Sequence, residues 1–224
     1  MQPTIFITGT DTGAGKTVLT ALLAQYLRAR KIRVAALKPL CSGGRDDARK
    51  LHAAMDGTLT LDEINPWHFR AAIAPLLAAR REHKRVQRAP VLAHIRTLQK
   101  RFDVTLVEGA GGLFSPLGHD FNSCDLIVAL RASPIILAPN KLGTVNHVLL
   151  TLAALPGKAR SVAKVVLMSP PKLDSATRSN AGLLGQFFPP GNIFKLPWLG
   201  RQFEPATVLE QPAVQRVLAA LMAG

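Results

Sequence analysis

Few stretches constrain a fold as tightly as Gly9-Thr10-Asp11-Thr12-Gly13-Ala14-Gly15-Lys16-Thr17 does when it lies between a strand and a helix. It follows the apolar run Thr4 to Thr8 and leads into Val18, Leu19, Leu22, Leu23, Tyr26 and Leu27, whose spacing is that of an amphipathic helix. In that context successive backbone N–H groups and the positive end of the helix surround an anion. Lys16 reaches the terminal phosphates of a nucleotide, and the Thr17 hydroxyl is placed to bind Mg²⁺. The strict form of the loop asks for one more glycine, at the position of Thr10.

The first helix ends in basic residues, Arg28, Arg30, Lys31 and Arg33, and a second apolar strand follows at Val34 to Leu37. Strand, helix and strand in so short a span form a βαβ unit, which implies a parallel sheet with right-handed crossover. The segment from Lys38 to Arg49 reads as a loop ending at aspartates that can cap a helix through Leu51. Residues 56–100 read as mostly helical, broken near Asn65-Pro66 and Ala89-Pro90, with Leu92, Ile95, Leu98 and Phe102 as an apolar face. Val104 to Val107 is a third strand, running into Glu108 and the glycine turn Gly109 to Gly112. Leu126 to Leu130 and Ile135 to Ala138 are two more apolar runs of strand length, Val148 to Leu155 is helical, and Ala163 to Met168 is a strand. Beyond it the chain is less regular until a short helix from Pro212. The expected fold is α/β: a single-domain P-loop NTPase-like arrangement over residues 1–224, its central sheet mostly parallel with helices on both faces.

At 224 residues and 48% hydrophobic the chain can bury one substantial core. No window reaches the length of a membrane span, and the first residues enter a strand without a basic leader, so a cytoplasmic protein is expected. Cys41 and Cys124 offer neither a disulfide framework nor metal spacing, which suits a reducing compartment; Cys41 reads as a small filler. The scattered histidines disfavour a zinc site or a Ser-His-Asp hydrolase. The net charge of +14 raises the question of nucleic acid, but it comes from few acids, 14 against 28 Lys and Arg. The densest basic cluster, Arg80, Arg81, Lys84, Arg85 and Arg88, lacks interleaved aromatics and reads as a solvated face.

Ligands of an open parallel sheet bind at the carboxyl ends of its strands. The loops after the first three clear strands carry Lys16 and Thr17, then Lys38, Ser42 and Asp47, then Glu108. Four of the 14 acids (Asp11, Asp46, Asp47 and Glu108) fall in these loops. Glu108 at a strand end is placed to offer an oxygen to a nucleotide-bound Mg²⁺, and Asp47 to supply another. Two lysines beside transferring phosphates offset the charge that develops there. Together these residues point to phosphoryl transfer.

The loop, Lys38-Pro39, Ser42-Gly43, Asp47-Ala48, Glu108 to Gly112 and Leu142 to His147 match the dethiobiotin synthetase family in identity and order, and the chain resembles that family over residues 1 to about 155. The resemblance implies an ATP-driven enzyme that forms a carbamate from 7,8-diaminononanoate and CO₂, phosphorylates it and closes a ureido ring. It implies phosphate and transition-state roles for Lys16 and Lys38, and a nucleotide site of Gly13, Ala14, Gly15, Lys16, Thr17, Glu108 and Gly111. Mg²⁺ would be held by Thr17, Asp47 and Glu108, and diamine or carbamate by Thr12 and Ser42. It further implies a homodimer in which Gly143, Thr144, Val145 and Asn146 of one protomer approach the substrate tail bound by the other.

One departure stands out. Members of the family hold adenine with an Asn-Asp pair where this chain has Met168 and Ser169. A thioether cannot donate a hydrogen bond, so base discrimination is expected to be weak, with stacking or backbone contacts from Pro197 and Trp198 as partial compensation. Three alternatives remain. A partition-type P-loop ATPase would use the positive surface to hold DNA, but that family carries a second lysine where this chain has Thr10. A cobyrinate-type amide synthetase would need a glutaminase domain, for which 224 residues leave no room. The last is a family member with a changed substrate.

Overall fold

The computed structural model describes residues 2–200 and 204–223. Six strands form one parallel sheet: β1 (Thr4–Gly9), β2 (Val34–Leu37), β5 (Val104–Gly112), β6 (Ser133–Pro139), β7 (Lys164–Met168) and β8 (Ile193–Leu196). Their order across the sheet is β2-β5-β1-β6-β7-β8, which puts the strand that feeds the glycine loop between the two strands bearing Glu108 and Asn140 at or just beyond their ends. Every residue of β1 and β2 is buried, as strands covered on both faces must be.

Those faces are covered by helices whose side follows from the direction of crossover. The chain steps one way from β1 to β2 through α1 (Lys16–Ala29), and the opposite way from β5 to β6 through α6 (Ser123–Leu130) and from β6 to β7 through α7 (Thr144–Ala154). With right-handed crossovers these fall on opposite faces. Accordingly α1 packs with the final helix α11 (Pro212–Met222), while α6 packs with α5 (Arg88–Gln99) and α7 with α9 (Ser175–Leu184). Leu19, Leu22, Leu23 and Leu27 of α1 and Ile95 of α5 are fully buried, the outcome expected of their periodicity. No helix among the described residues is long and apolar enough to cross a membrane.

Several sequence expectations need correction. Leu126 to Leu130 is the body of helix α6, not a strand. Asn122 and Asp125 form a reciprocal capping box that starts the helix, and Val128 projects outward, 51% exposed, while Leu126, Ile127 and Leu130 are buried. The stretch 56–100 is helical over about half of its length and is interrupted by a strand: it holds α3 (Leu61–Ile64), the strand β4 (Trp67–Phe69), α4 (Pro75–Arg81) and α5. β4 pairs in parallel with β3 (Leu40–Ser42), inside the segment expected to be loop. Strands of three residues carry no period to detect. Asp46 and Asp47 lie in the first turn of α2 (Asp46–Ala54), and the cap position is Arg45. The glycine turn after Glu108 remains in the sheet: pairing passes from Ile7 with Glu108 to Gly9 with Gly112, so β5 bulges just beyond the glutamate.

Candidate active site

Gly13 and Gly15 hold the loop open with φ of 74° and 92°, and Gly15 caps α1 in the left-handed region. The Thr10 amide donates to the Leu137 carbonyl at 2.9 Å, tying the loop to β6. Lys16, only 6% exposed, curls back so that Nζ donates to the Asp11 carbonyl at 2.9 Å. The loop is thereby preformed, its lysine resting on a weak partner that a phosphate oxygen can displace.

The floor of the site is a chain of short polar contacts between three strand ends. Thr17 Oγ1 donates to Glu108 Oε1 at 2.7 Å, and Lys38 Nζ donates to the same oxygen at 2.6 Å. Lys38 Nζ also lies 3.0 Å from Asp47 Oδ2. Lys38 and Glu108 are both buried. Burial works against the Lys38 charge, but Glu108 and Asp47 outweigh it and raise the lysine above its ordinary value. Burial likewise works against the Asp47 carboxylate, yet Lys38 and the Thr17 hydroxyl hold it below the usual range. Lys16 has no such pair of acids in contact, and burial followed by repulsion from Lys38 lowers it to about 8. The two lysines are thus tuned apart, one locked in its charged form and the other poised near neutrality.

Glu108 Oε2 is buried without a hydrogen-bond partner. Together with Thr17 and Asp47 it offers hard oxygen donors at the foot of the loop, the chemistry a Mg²⁺ ion prefers. No cluster of three or more His, Cys, Asp or Glu side chains that could hold a metal ion occurs among the described residues.

Above this floor opens a cleft of about 620 Å³. Its lining includes Thr12, Gly13, Gly15, Lys16, Thr17, Lys38, Ser42, Asp47, Glu108 and Gly111, so most of the expected site converges on one space. Ala14 is buried behind the loop. Gly111, at φ 70°, lies against Ser115, whose Oγ accepts from the Gly112 amide at 2.9 Å. The cleft also contains residues that sequence reasoning passed over: Ala72, Ile73, Ala74 and Pro75 as an apolar wall, with Lys50 and Ser115. The wall is tied to the site through Gly43, where an added Cβ would sit 3.0 Å from that of Ala72. Cys41 is a buried wall residue whose thiol burial pushes up, consistent with a filler.

Three expected nucleotide contacts lie apart from this cleft. Met168 packs behind the loop: a Cβ added to Gly15 would fall 2.9 Å from Met168 Cε. Pro197 is half-buried, and Trp198 is 45% exposed beyond the end of β8. The nearby Asn140 amide donates to the Thr177 carbonyl at 3.0 Å and accepts from Asn180 at 2.8 Å, so it is committed to the core. At the start of α7, Gly143 and Asn146 are exposed, Val145 is half-buried, and Thr144 is buried with its hydroxyl bonded to the Pro139 carbonyl. The Thr144 side chain is therefore turned inward.

The chain is similar to known proteins. Residues 3–209 match the family described as AAA domain. An ATP-dependent dethiobiotin synthetase of Anaeromyxobacter dehalogenans strain 2CP-C is 36% identical, covering 96% of this chain and 97% of its own. One from Anaeromyxobacter sp. strain Fw109-5 is 42% identical over 73% of this chain and 75% of its own, and one from Methanocaldococcus jannaschii is 36% identical over 73% and 78%. The solved structure of pNOB8 ParA bound to nonspecific DNA aligns with a TM-score of 0.61 at 12% identity, covering 99% of this chain and 97% of that one, a likeness of fold alone.

Proposed function

The chain belongs to the dethiobiotin synthetase family, and on that premise we propose that it uses ATP to convert 7,8-diaminononanoate and CO₂ into the cyclic urea dethiobiotin. One amine adds to CO₂ to give a carbamate, with loss of a proton. A carbamate oxygen attacks the γ-phosphorus, ADP leaves, and the resulting carbamic-phosphoric anhydride is attacked at its carbonyl carbon by the neighbouring amine. The C–O bond breaks, phosphate departs and the ring closes with loss of a second proton.

The observation that carries this reading is the Lys38 ammonium fixed between Glu108 and Asp47 beneath the same cleft that Lys16 enters. A pre-oriented cation needs no reorganisation when charge builds on the transferring phosphoryl group. Lys16 would leave the Asp11 carbonyl for the β- and γ-phosphates, and the loop amides between Gly13 and Thr17 would cradle them. Thr12 and Ser42, which line the same cleft, would orient the diamine and its carbamate. Thr17, Asp47 and Glu108 would hold Mg²⁺, which would supply positive charge to offset that of the phosphates. Met168, Pro197 and Trp198 are assigned to the nucleoside end.

A homodimer belongs to the same reading, supported by exposed Leu142 and Leu150 flanking Asn146. A cytoplasmic location is supported by two buried, unpaired cysteines. A DNA-partitioning role has less support, since Thr10 stands where its second lysine would be. The direct test is phosphate release with diaminononanoate, bicarbonate, Mg²⁺ and ATP. Diamine-dependent release by the parent protein, lost in Lys16→Ala, is expected; no dependence on the diamine would overturn the assignment.

A further inference from the structure

Lys38 stands one residue beyond the paired part of its strand. The register of β2 with β5 ends at Leu37 opposite Val107, and β2 is the edge strand of the sheet. Past that point the backbone is held by a corner of chain at the end of α3. The Lys38 amide donates to the Ile64 carbonyl at 3.0 Å, and the Asn65 side-chain amide donates to the Lys38 carbonyl at 2.7 Å. Pro39, which has no N–H of its own, is held through its carbonyl by the Trp67 amide at 3.1 Å.

The Asn65 side chain is committed to this corner. It is fully buried, its Nδ2 lies 3.4 Å from the Pro39 and Trp67 carbonyls as well, and its Oδ1 has no hydrogen-bond partner among the described residues. A buried amide with an unmatched acceptor costs stability, so what this residue contributes is its donors. The same corner carries the other partner of Lys38. Arg45, the residue before α2, donates to the carbonyls of Leu61 and Asn65 and pairs with Asp62 at 2.8 Å. Asp47, two residues on, lies 3.0 Å from Lys38 Nζ. Both members of that ion pair are therefore tied to segment 61–65, whose start is fixed by the reciprocal capping box of Thr60 and Glu63.

We propose that Asn65 is a positioning residue for phosphoryl transfer: by clamping the Lys38 carbonyl it keeps the Lys38 ammonium between Glu108 and Asp47, beneath the transferring group. The assignment rests on the ATP-driven reaction above and deepens it. Asn65 is buried and acts through Lys38 rather than on the ligand. Two carboxylates fix the tip of the lysine side chain and the clamp fixes its root, so the cation meets the developing charge without reorganising.

The test compares the parent protein with Asn65→Ala and with Asn65→Asp, which keeps the shape of the side chain and removes its amide donor. Native-state acetylation with acetic anhydride, read by mass spectrometry, reports on Lys38, with Lys164 as the reference because carbonyls of Ala220 and Leu221 at the end of α11 hold its ammonium far from the clamp. Labelling of Lys38 should rise several-fold in both variants while that of Lys164 stays at the parent level. In diamine-dependent phosphate release kcat should fall about tenfold to a hundredfold, with the Kd for ATP within about threefold of the parent, since the loop and Lys16 are untouched. Labelling that rises equally at Lys38 and Lys164, as a loss of global stability would give, overturns the proposal, and so does unchanged labelling of Lys38 or an unchanged kcat. The labelling does not depend on the reaction: a parent without diamine-dependent release would remove the proposed activity, whereas full turnover in variants with a loosened Lys38 would remove the role of Asn65 and leave the reaction standing.

Discussion

Lys16 and Lys38 share a cleft but differ in their nearest partners, and that difference sets how each responds to pH. Lys38 stays charged throughout the working range because two carboxylates hold its proton. Lys16, lowered to about 8 by burial and by Lys38, loses its charge within that range. Nucleotide capture by the free enzyme should therefore fall above about pH 8, and kcat/KM for ATP should drop about tenfold per unit beyond it. In Lys16→Arg the fall should vanish even if the absolute rate is poor, because guanidinium keeps its proton; a parent profile flat to about pH 9.5 would contradict this. The linkage to stability has the opposite sign. The folded value lies below the ordinary lysine value of 10.5, so between about 8 and 10.5 the unfolded chain binds more protons, and this group's contribution rises with pH across that window. Base selection turns on another single residue. With Met168 behind the loop and the Asn140 amide bound within the core, an amide from either position is missing from the nucleoside end. Competition among ATP, CTP and GTP is expected to show preferences within about tenfold, one hydrogen bond's worth of discrimination, and a hundredfold preference for ATP would refute this.

The loop and β7 act as one element, because the glycine that caps α1 is also the residue Met168 rests against. Gly15→Ala meets two obstacles, a φ of 92° and a Cβ placed 2.9 Å from Met168 Cε. The first costs about 1–2 kcal/mol, while the second can be relieved by the flexible thioether. Gly15→Ala should lower stability by at least that amount in urea unfolding, and adding Met168→Ala should restore only the steric part. Full recovery in the double variant would show that the backbone conformation was never the constraint. The same pair shows what could be foreseen. Lys16, Thr17, Lys38, Asp47 and Glu108 were legible because each follows an apolar strand whose carboxyl end must face the ligand. The contact of Met168 with Gly15 was not, since it joins loops 153 residues apart (168 − 15) by packing alone. The apolar wall from Ala72 to Pro75 was hidden for a related reason: it sits in a stretch whose composition resembles helix, and only the pairing of β3 with β4 carries it to the cleft. Leu126 to Leu130 reads as a strand because a short apolar run lacks the length to separate strand from helix, and the deciding signal is the cap formed by Asn122 and Asp125 at its start.

At the scale of the whole molecule, the residues proposed to hold the phosphates converge on one cleft within a single chain, whereas the start of α7 carries exposed groups. Leu142, just before α7, is 84% exposed and Leu150, within it, 62%, and Asn146 and Leu150 are four residues apart on one side of the helix. Two large apolar side chains on one edge are costly to leave in water and suit a self-complementary contact about a two-fold axis. If that contact is the dimer interface, Leu142→Asp with Leu150→Asp should give a monomer by sedimentation velocity at concentrations where the parent is dimeric. The variant should still bind ATP to within about threefold, because the loop, Lys38 and Glu108 lie in one protomer, as expected for sites with no shared partners. Diamine-dependent phosphate release should fall at least about tenfold, since the tail of the substrate would lose whatever Asn146 of the second copy supplies. A parent that sediments as a monomer while turning over the diamine would rule out the shared site.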